Sequence, residues 1–383
     1  MRFILFIIAA VFTLSSQVQA QSANAFETTA RNAILIDYKS GHVFLAKDPD
    51  TPIPPASMSK MMTQAVVFDM LKAGELTLDQ QFVVSADAAH RGGLAEGSST
   101  MFAAPNSKVS VDNLLHGAII DSGNDACIAL AEGIAGTETA FAQRMTAKAT
   151  EIGLKHSSFA NSTGLPDPGQ RMSVADLAML ARYIISKHPD FYKIYGEREF
   201  TWSKITQQNR NPLLKDYPGA DGMKTGYTKE AGYSLVGSAV RDGRRLILVM
   251  AGMEDSAKRK IEAQKILDYG FSQFKNVNIY EAGDVVSNVR VWGGEQHWVN
   301  LITPDTFAVS LAQFEQDQAD IRITYKGPLI APLKQGSQVG VMRVTVDGAV
   351  VAEQPVTVAD DVKATSNMWR KAADSALLMV FGG

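Results

Sequence analysis

The sequence predicts an α+β protein: an antiparallel sheet carrying helices beside a helical subdomain, then a small all-β domain and a C-terminal amphipathic helix. Three observations predict it. Two hairpin patterns, one around Ser40-Gly41 and one around Asp242-Gly243, lie far apart in the chain and bracket a block of helical periods. Past about Lys275 the pattern changes to short alternating strands. From Ser366 onward it returns to one helical period with a single apolar face.

A chain of 383 residues with 46% hydrophobic residues can bury one large or two moderate cores. Its net charge of −3, with no basic run or aromatic-basic stripe, excludes nucleic acid as an expected partner. Met1-Arg2, the apolar run from Phe3 to about Leu14, and Val18-Gln19-Ala20 have the three parts of a secretory signal peptide, so residues 1–20 are expected to be removed after Ala20. The apolar run falls short of the roughly 20 residues of a spanning helix, and no cysteine follows to accept a lipid. An exported protein without a lipoprotein anchor is expected.

Ala33–Asp37 and His42–Ala46, joined at Ser40-Gly41, read as the first hairpin. Helices follow at about 58–73, 110–121, 124–135, 137–152 and 173–187, broken by glycine-rich loops. Tyr233–Val240 and Arg245–Met250 read as strands around Asp242-Gly243, and a long helix runs from about Ser256 to Phe274. The expected boundaries are a catalytic domain over 21–275, a β-rich domain over 276–365 and an amphipathic helix over 366–383. In the β-rich domain the strands are expected at Asn288–Trp292, Phe307–Leu311, Ile321–Tyr325, Val341–Val346 and, after Asp347-Gly348, Ala349–Glu353. In the tail, Met368, Trp369, Ala372, Ala376, Leu377, Val380 and Phe381 share one face, with Arg370, Lys371 and Asp374 opposite.

The chemistry-bearing stretch is Pro54-Pro55-Ala56-Ser57-Met58-Ser59-Lys60, a turn running into a helix. At a helix N-terminus, unpaired backbone N–H groups favour an anion, and Lys60, three residues on, shares a face with Ser57. A serine hydroxyl is a poor nucleophile until a base takes its proton, and a desolvated lysine near a second cation can serve as that base. Ser57 is the candidate nucleophile and Lys60 its base. The motif alone is weak: Ser272-Gln273-Phe274-Lys275 repeats it with no chemistry around it. Its weight comes from company, since Ser122-Gly123-Asn124 and Lys224-Thr225-Gly226 follow in order. The one cysteine, Cys127, lies in an apolar helical stretch and reads as a buried small hydrophobe. The six histidines are scattered, and no cysteine/histidine cluster suggests a metal or other cofactor.

With these motifs, the chain resembles the low-molecular-mass penicillin-binding proteins of the serine-type D-alanyl-D-alanine carboxypeptidase family. The resemblance spans nearly the whole chain. It implies a serine β-lactamase/transpeptidase-like catalytic domain in a periplasmic enzyme that removes the terminal D-alanine from peptidoglycan stem peptides and is acylated by β-lactams. Ser122 would relay a proton to the departing amine, and Asn124 would hydrogen-bond the substrate backbone or fix Lys60. Lys224 and Thr225, on an edge strand, would meet the terminal carboxylate, with Gly226 letting the substrate lie close. The backbone N–H groups of Ser57 and Tyr227 would form the oxyanion hole. Tyr227 departs from the histidine that many members carry after Lys-Thr-Gly. Arg210 and Arg259 match positions that support carboxylate recognition, with ordinary surface arginines as the competing account. In the loop Asn161–Gln170, Asp167 reads as a solvated turn residue.

The alternatives are a serine β-lactamase, a D,D-endopeptidase and a non-catalytic peptidoglycan-binding scaffold. A class A β-lactamase needs a glutamate to drive water onto the acyl-enzyme, and none occurs between Glu151 and Glu197. A scaffold has no need of three complete motifs. The amphipathic tail is expected to lie on the periplasmic face of the inner membrane.

Overall fold

A computed structural model describes residues 26–93 and 97–381; the expected signal peptide lies outside the described residues. Five strands form the central antiparallel sheet: β1 (Asn32–Asp37), β2 (Val43–Lys47), β3 (Ala220–Thr228), β4 (Gly232–Arg241) and β5 (Arg244–Met253), in the order β2-β1-β5-β4-β3. Asp242 and Gly243 both have positive φ, at 50° and 73°, which is what a two-residue hairpin turn matching the strand twist requires.

Strand alternation divides the apolar residues between two cores. Ile34, Ile36, Ile247 and Val249 face the helical subdomain, whereas Ala33, Leu35, Leu246, Leu248 and Met250 face the long helix Ser256–Gln273. Covering both faces explains why these strands are apolar almost throughout. The subdomain's helices are α1 (Lys60–Ala73), α2 (Val111–Ile119), α3 (Asn124–Ala135), α4 (Glu138–Ile152) and α5 (Val174–Lys187). Ser110, Thr137 and Ser173 cap α2, α4 and α5 through their side-chain oxygens, so these helices begin one residue later than their polar signals. Helix α3 is the subdomain's buried axis, with Ala126 to Ala131 fully enclosed and Cys127 free among them.

The long helix ends at Gln273 and becomes strand Phe274–Tyr280 without a loop. Phe274 stacks on Phe44 of the catalytic sheet at 3.8 Å, and His42 Nδ1 lies 2.8 Å from the Ser310 carbonyl, so the first hairpin grips the β-domain. That domain holds a six-stranded sheet and a two-stranded pair around its own valine-rich core.

The tail helix Met368–Phe381 docks through its polar side. Asp374 is only 5% exposed: one carboxylate oxygen accepts from Gly293 N at 2.9 Å and the other lies 3.5 Å from Arg290. Met368, Trp369 and Met379 face outward at 75%, 87% and 88% exposure, while the side chains of Val380 and Phe381 lie outside the described residues. No described helix is long and apolar enough to cross a membrane.

Candidate active site

A cavity of about 430 Å³ opens where β3, α1, α3 and the 161–165 loop meet, lined by Ser57, Ser122, Asn124, Thr225, Arg210 and Arg259 among others. Pro54 and Pro55 lead into Ala56, which adopts a positive φ of 48°. Ser57 was expected to precede an α-helix starting at Met58; it lies instead inside a 3-10 turn, Ala56–Ser59, and α1 begins at Lys60. The tighter turn still stacks residues three apart. Lys60, fully buried, donates from Nζ to Ser57 Oγ at 2.7 Å and to the Thr163 carbonyl at 2.6 Å.

Burial pulls the Lys60 ammonium down to about 8; Cys127 opposes this and Arg210 adds to it. Arg210 is thus the leading cation acting on Lys60. Lys224 is itself held well below the usual lysine range by burial, then by Lys60 and Arg210. Its Nζ donates to Ser122 Oγ at 2.8 Å, and Ser122 holds a positive φ of 59°. For a serine this is a sparsely populated conformation, maintained because the buried residues around it leave no other course.

Asn124, the first residue of α3, donates from Nδ2 to Ser98 Oγ at 3.2 Å rather than contacting Lys60, and its buried Oδ1 has no partner. That acceptor borders the cavity. Asp125 accepts from Thr100 Oγ1, Met101 N and Ala103 N, pinning the 98–103 segment against α3.

Strand β3 pairs on one side only, with β4, which leaves its other edge toward the cavity. Thr225 and Lys224 on it are 7% and 2% exposed. Gly226 was expected to make room for a substrate. The atoms that a side chain there would meet are Pro55 O at 3.0 Å and Ala56 Cβ at 3.3 Å, so its bareness seats the Ser57 turn on β3. Tyr227, half-exposed, packs its ring at a tilt against Tyr233, with centroids 4.2 Å apart. Arg259 is no surface residue: it is 8% exposed, with its guanidinium 5.7 Å from the Tyr233 ring centre. Arg210 sits on the exposed rim. Asp167 is an exposed turn residue accepting from Gly169 N, and Ser272 and Lys275 are both exposed.

Sequence reasoning missed the groups that hold Lys60 from behind. Asn161 Oδ1 accepts from Thr163 N, Thr163 Oγ1 and Gly164 N. Glu138 Oε1 accepts from Ser162 N and Oγ at 2.9 and 2.6 Å, while Arg91 takes its other oxygen. The sequence marked the loop Asn161–Gln170 but not the hydrogen bond that its Thr163 carbonyl accepts from Lys60, and the role of Glu138 leaves no local trace.

Residues 17–255 match the family model described as D-alanyl-D-alanine carboxypeptidase, and residues 274–364 match that of the penicillin-binding protein 5 C-terminal domain. The chain is 38% identical to the D-alanyl-D-alanine carboxypeptidase DacC of Escherichia coli over 92% of this chain and 89% of the relative. It is 36% identical to DacA of Haemophilus influenzae over 98% and 96%. In structure it is similar to penicillin-binding protein 5 from H. influenzae, with a TM-score of 0.78 at 38% identity over 88% of this chain and 98% of the other. A more distant likeness is penicillin-binding protein D2 from Listeria monocytogenes in its ampicillin-bound form, with a TM-score of 0.56 at 27% identity over 64% of this chain and 99% of the other.

Proposed function

The chain belongs to the D-alanyl-D-alanine carboxypeptidase family, and on that premise we propose that it removes the terminal D-alanine of peptidoglycan stem peptides through an acyl-enzyme on Ser57. The observation that carries the assignment of roles is the 2.7 Å contact between Lys60 Nζ and Ser57 Oγ, where burial makes the lysine easier to deprotonate than it is in water.

The neutral Lys60 takes the Ser57 proton as Ser57 Oγ bonds to the carbonyl carbon of the penultimate D-alanine. The backbone N–H groups of Ser57 and Tyr227 hold the resulting oxyanion. The proton now on Lys60 is relayed through Ser122, fixed by Lys224, to the leaving amine as the C–N bond breaks, which leaves Lys60 neutral and Ser122 protonated again as free D-alanine departs. Water then attacks the ester, Lys60 takes its proton, and Ser57 regains its own. Arg210, Arg259, Thr225 and Lys224 gather positive charge and donors for the terminal carboxylate. Asn124 Oδ1, unpartnered and buried, accepts from the substrate's backbone amide.

The same reading covers location. A cleaved leader at 1–20 delivers the enzyme to the periplasm, and the outward apolar side chains of the tail helix rest on the inner membrane's outer surface. Incubating the purified protein with a pentapeptide ending in D-Ala-D-Ala tests the activity: release of one D-alanine per peptide supports it, and an intact peptide overturns it. Failure of fluorescent penicillin to label Ser57 would support the scaffold reading.

A further inference from the structure

The cavity has an aromatic wall that the chemistry above leaves unused. Side chains alternate along β3 and β4: Leu235, opposite Thr225, lies in the core under the long helix, whereas Val236, opposite Lys224, lies in the core of the helical subdomain. Thr225 and Tyr227 therefore share the long-helix face, and Tyr233, directly opposite Tyr227, joins them there. The two rings pack with centroids 4.2 Å apart at 32°. Arg259, from the long helix, brings its guanidinium to 5.7 Å from the Tyr233 ring centre, within reach of a cation–π attraction. All four side chains line the cavity, and Tyr227 is 54% exposed in it. An aromatic surface left open beside a carboxylate-binding cation is apolar area available to a ligand.

We propose that Tyr227 and Tyr233 are specificity-determining residues that hold the side chain of the residue after the scissile bond and favour an aromatic group there over the methyl of D-alanine. This rests on the carboxypeptidase reading of the site. The oxyanion sits at the Tyr227 N–H, and the terminal carboxylate, one residue on, goes to Thr225 and Arg259. The terminal side chain is thereby placed along the Tyr227–Tyr233 pair, which spans the distance between those two points. A methyl covers little of either ring. A phenyl group can lie offset against them, as aromatic pairs prefer, and removes more apolar surface from water. The cavity, at about 430 Å³, is of a size that encloses a drug-sized ligand and has room for such a group.

The test measures kcat/KM for two pentapeptides that differ only in the last residue, D-Ala-D-Ala and D-Ala-D-Phe, in the full chain and in Y227A, Y227F, Y233A and Y233F. The ratio of the two values cancels any loss common to both substrates, including one from a shifted oxyanion hole or a displaced Arg259. In the unmutated enzyme the D-Phe peptide should be favoured about fivefold, the size of one aromatic contact. Y227A and Y233A should each abolish that preference, whereas Y227F and Y233F should keep it, since the rings and not the hydroxyls make the contact. An unmutated enzyme that prefers the D-Ala peptide overturns the proposal, as does the parent ratio in both alanine variants. Should Y233A fail to fold, the more exposed Tyr227 still decides it: an unchanged ratio in Y227A is sufficient to overturn the proposal. If the unmutated enzyme leaves both peptides intact, the carboxypeptidase reading falls and the proposal with it; D-alanine release with an unmoved ratio overturns the proposal alone.

Discussion

The Thr163 carbonyl accepts a 2.6 Å hydrogen bond from Lys60 Nζ, so the lysine is set from two directions: by Ser57 in its own turn and by a loop about a hundred residues away. That loop can approach because Gly164 has no side chain. A Cβ there would stand 1.9 Å from the Ala56 carbonyl oxygen, and the backbone has a φ of 81°.

Gly164→Ala should therefore displace both holders of Lys60 at once. Overpacking and the left-handed backbone together cost about 2–4 kcal/mol. The penicillin acylation rate should fall by roughly a hundredfold, about 3 kcal/mol of lost orientation. Stopped-flow acylation with a thermal melt reads both effects, and an alanine variant acylated at the parent rate would refute the two-sided arrangement.

Lys60 gives the pH dependence its sign. The base must be neutral, and its ammonium loses its proton at about 8, so acylation should rise with pH through that value and level off above it. The same depression destabilises the fold. Below about 8 both folded and unfolded chains hold the proton, the folded one at a penalty of about 3 kcal/mol, which fades as pH climbs toward the ordinary 10.5. Lys60→Met should hence abolish acylation yet melt higher near neutral pH. Near-parent acylation by this variant rules Lys60 out as the base; a lower melting point contradicts the burial penalty.

Much of this was legible because local signals and global packing agree. Asp242-Gly243 demanded a tight hairpin, and α3 over Asn124–Ala135 was bounded by a turn on one side and Gly136 on the other. Strand Phe274–Tyr280 was missed because it follows a helix with no glycine or proline between them; its pairing with Phe307–Ala312 overrides the helical period. The Ser57–Lys60 spacing marked the pair, but nothing local could show the Thr163 carbonyl and Glu138 converging behind it. Asp374 was placed on the polar face of the tail helix, and that face is where the β-domain buries it, with its carboxylate accepting from Gly293 N.

The tail helix should tether the enzyme to a membrane surface. Its polar side is engaged by Gly293, Arg290 and Glu295, which leaves Met368, Trp369 and Met379 outward, an arrangement suited to an interface rather than to crossing a bilayer. Removing residues 366–383 should release an enzyme that keeps its kcat/KM, since the catalytic cavity is built entirely upstream. Cell fractionation decides it: a truncated protein still sedimenting with membranes would locate the anchor elsewhere.

Penicillin should acylate Ser57 and then remain. Its strained amide carbonyl enters the oxyanion hole as the peptide's does, and its carboxylate finds the donors of Lys224, Thr225 and Arg210. After peptide cleavage, D-alanine leaves and water can take its place; the opened penicillin ring stays attached and blocks that approach. Rescue from the opposite side needs a free carboxylate on the 161–170 loop, and the loop's own Asp167 is exposed and turned into Gly169. Glu138, which touches the loop from α4, has one oxygen taken by Ser162 and the other by Arg91. Among the described residues, neither of these carboxylates is left free to activate water. Intact-protein mass spectrometry after a penicillin pulse and chase should show one drug mass persisting over many peptide turnovers. Freeing that carboxylate by Arg91→Ala should not shorten the persistence, because Ser162 still holds Glu138. Prompt return of the parent chain to its unmodified mass would instead mark it as a β-lactamase.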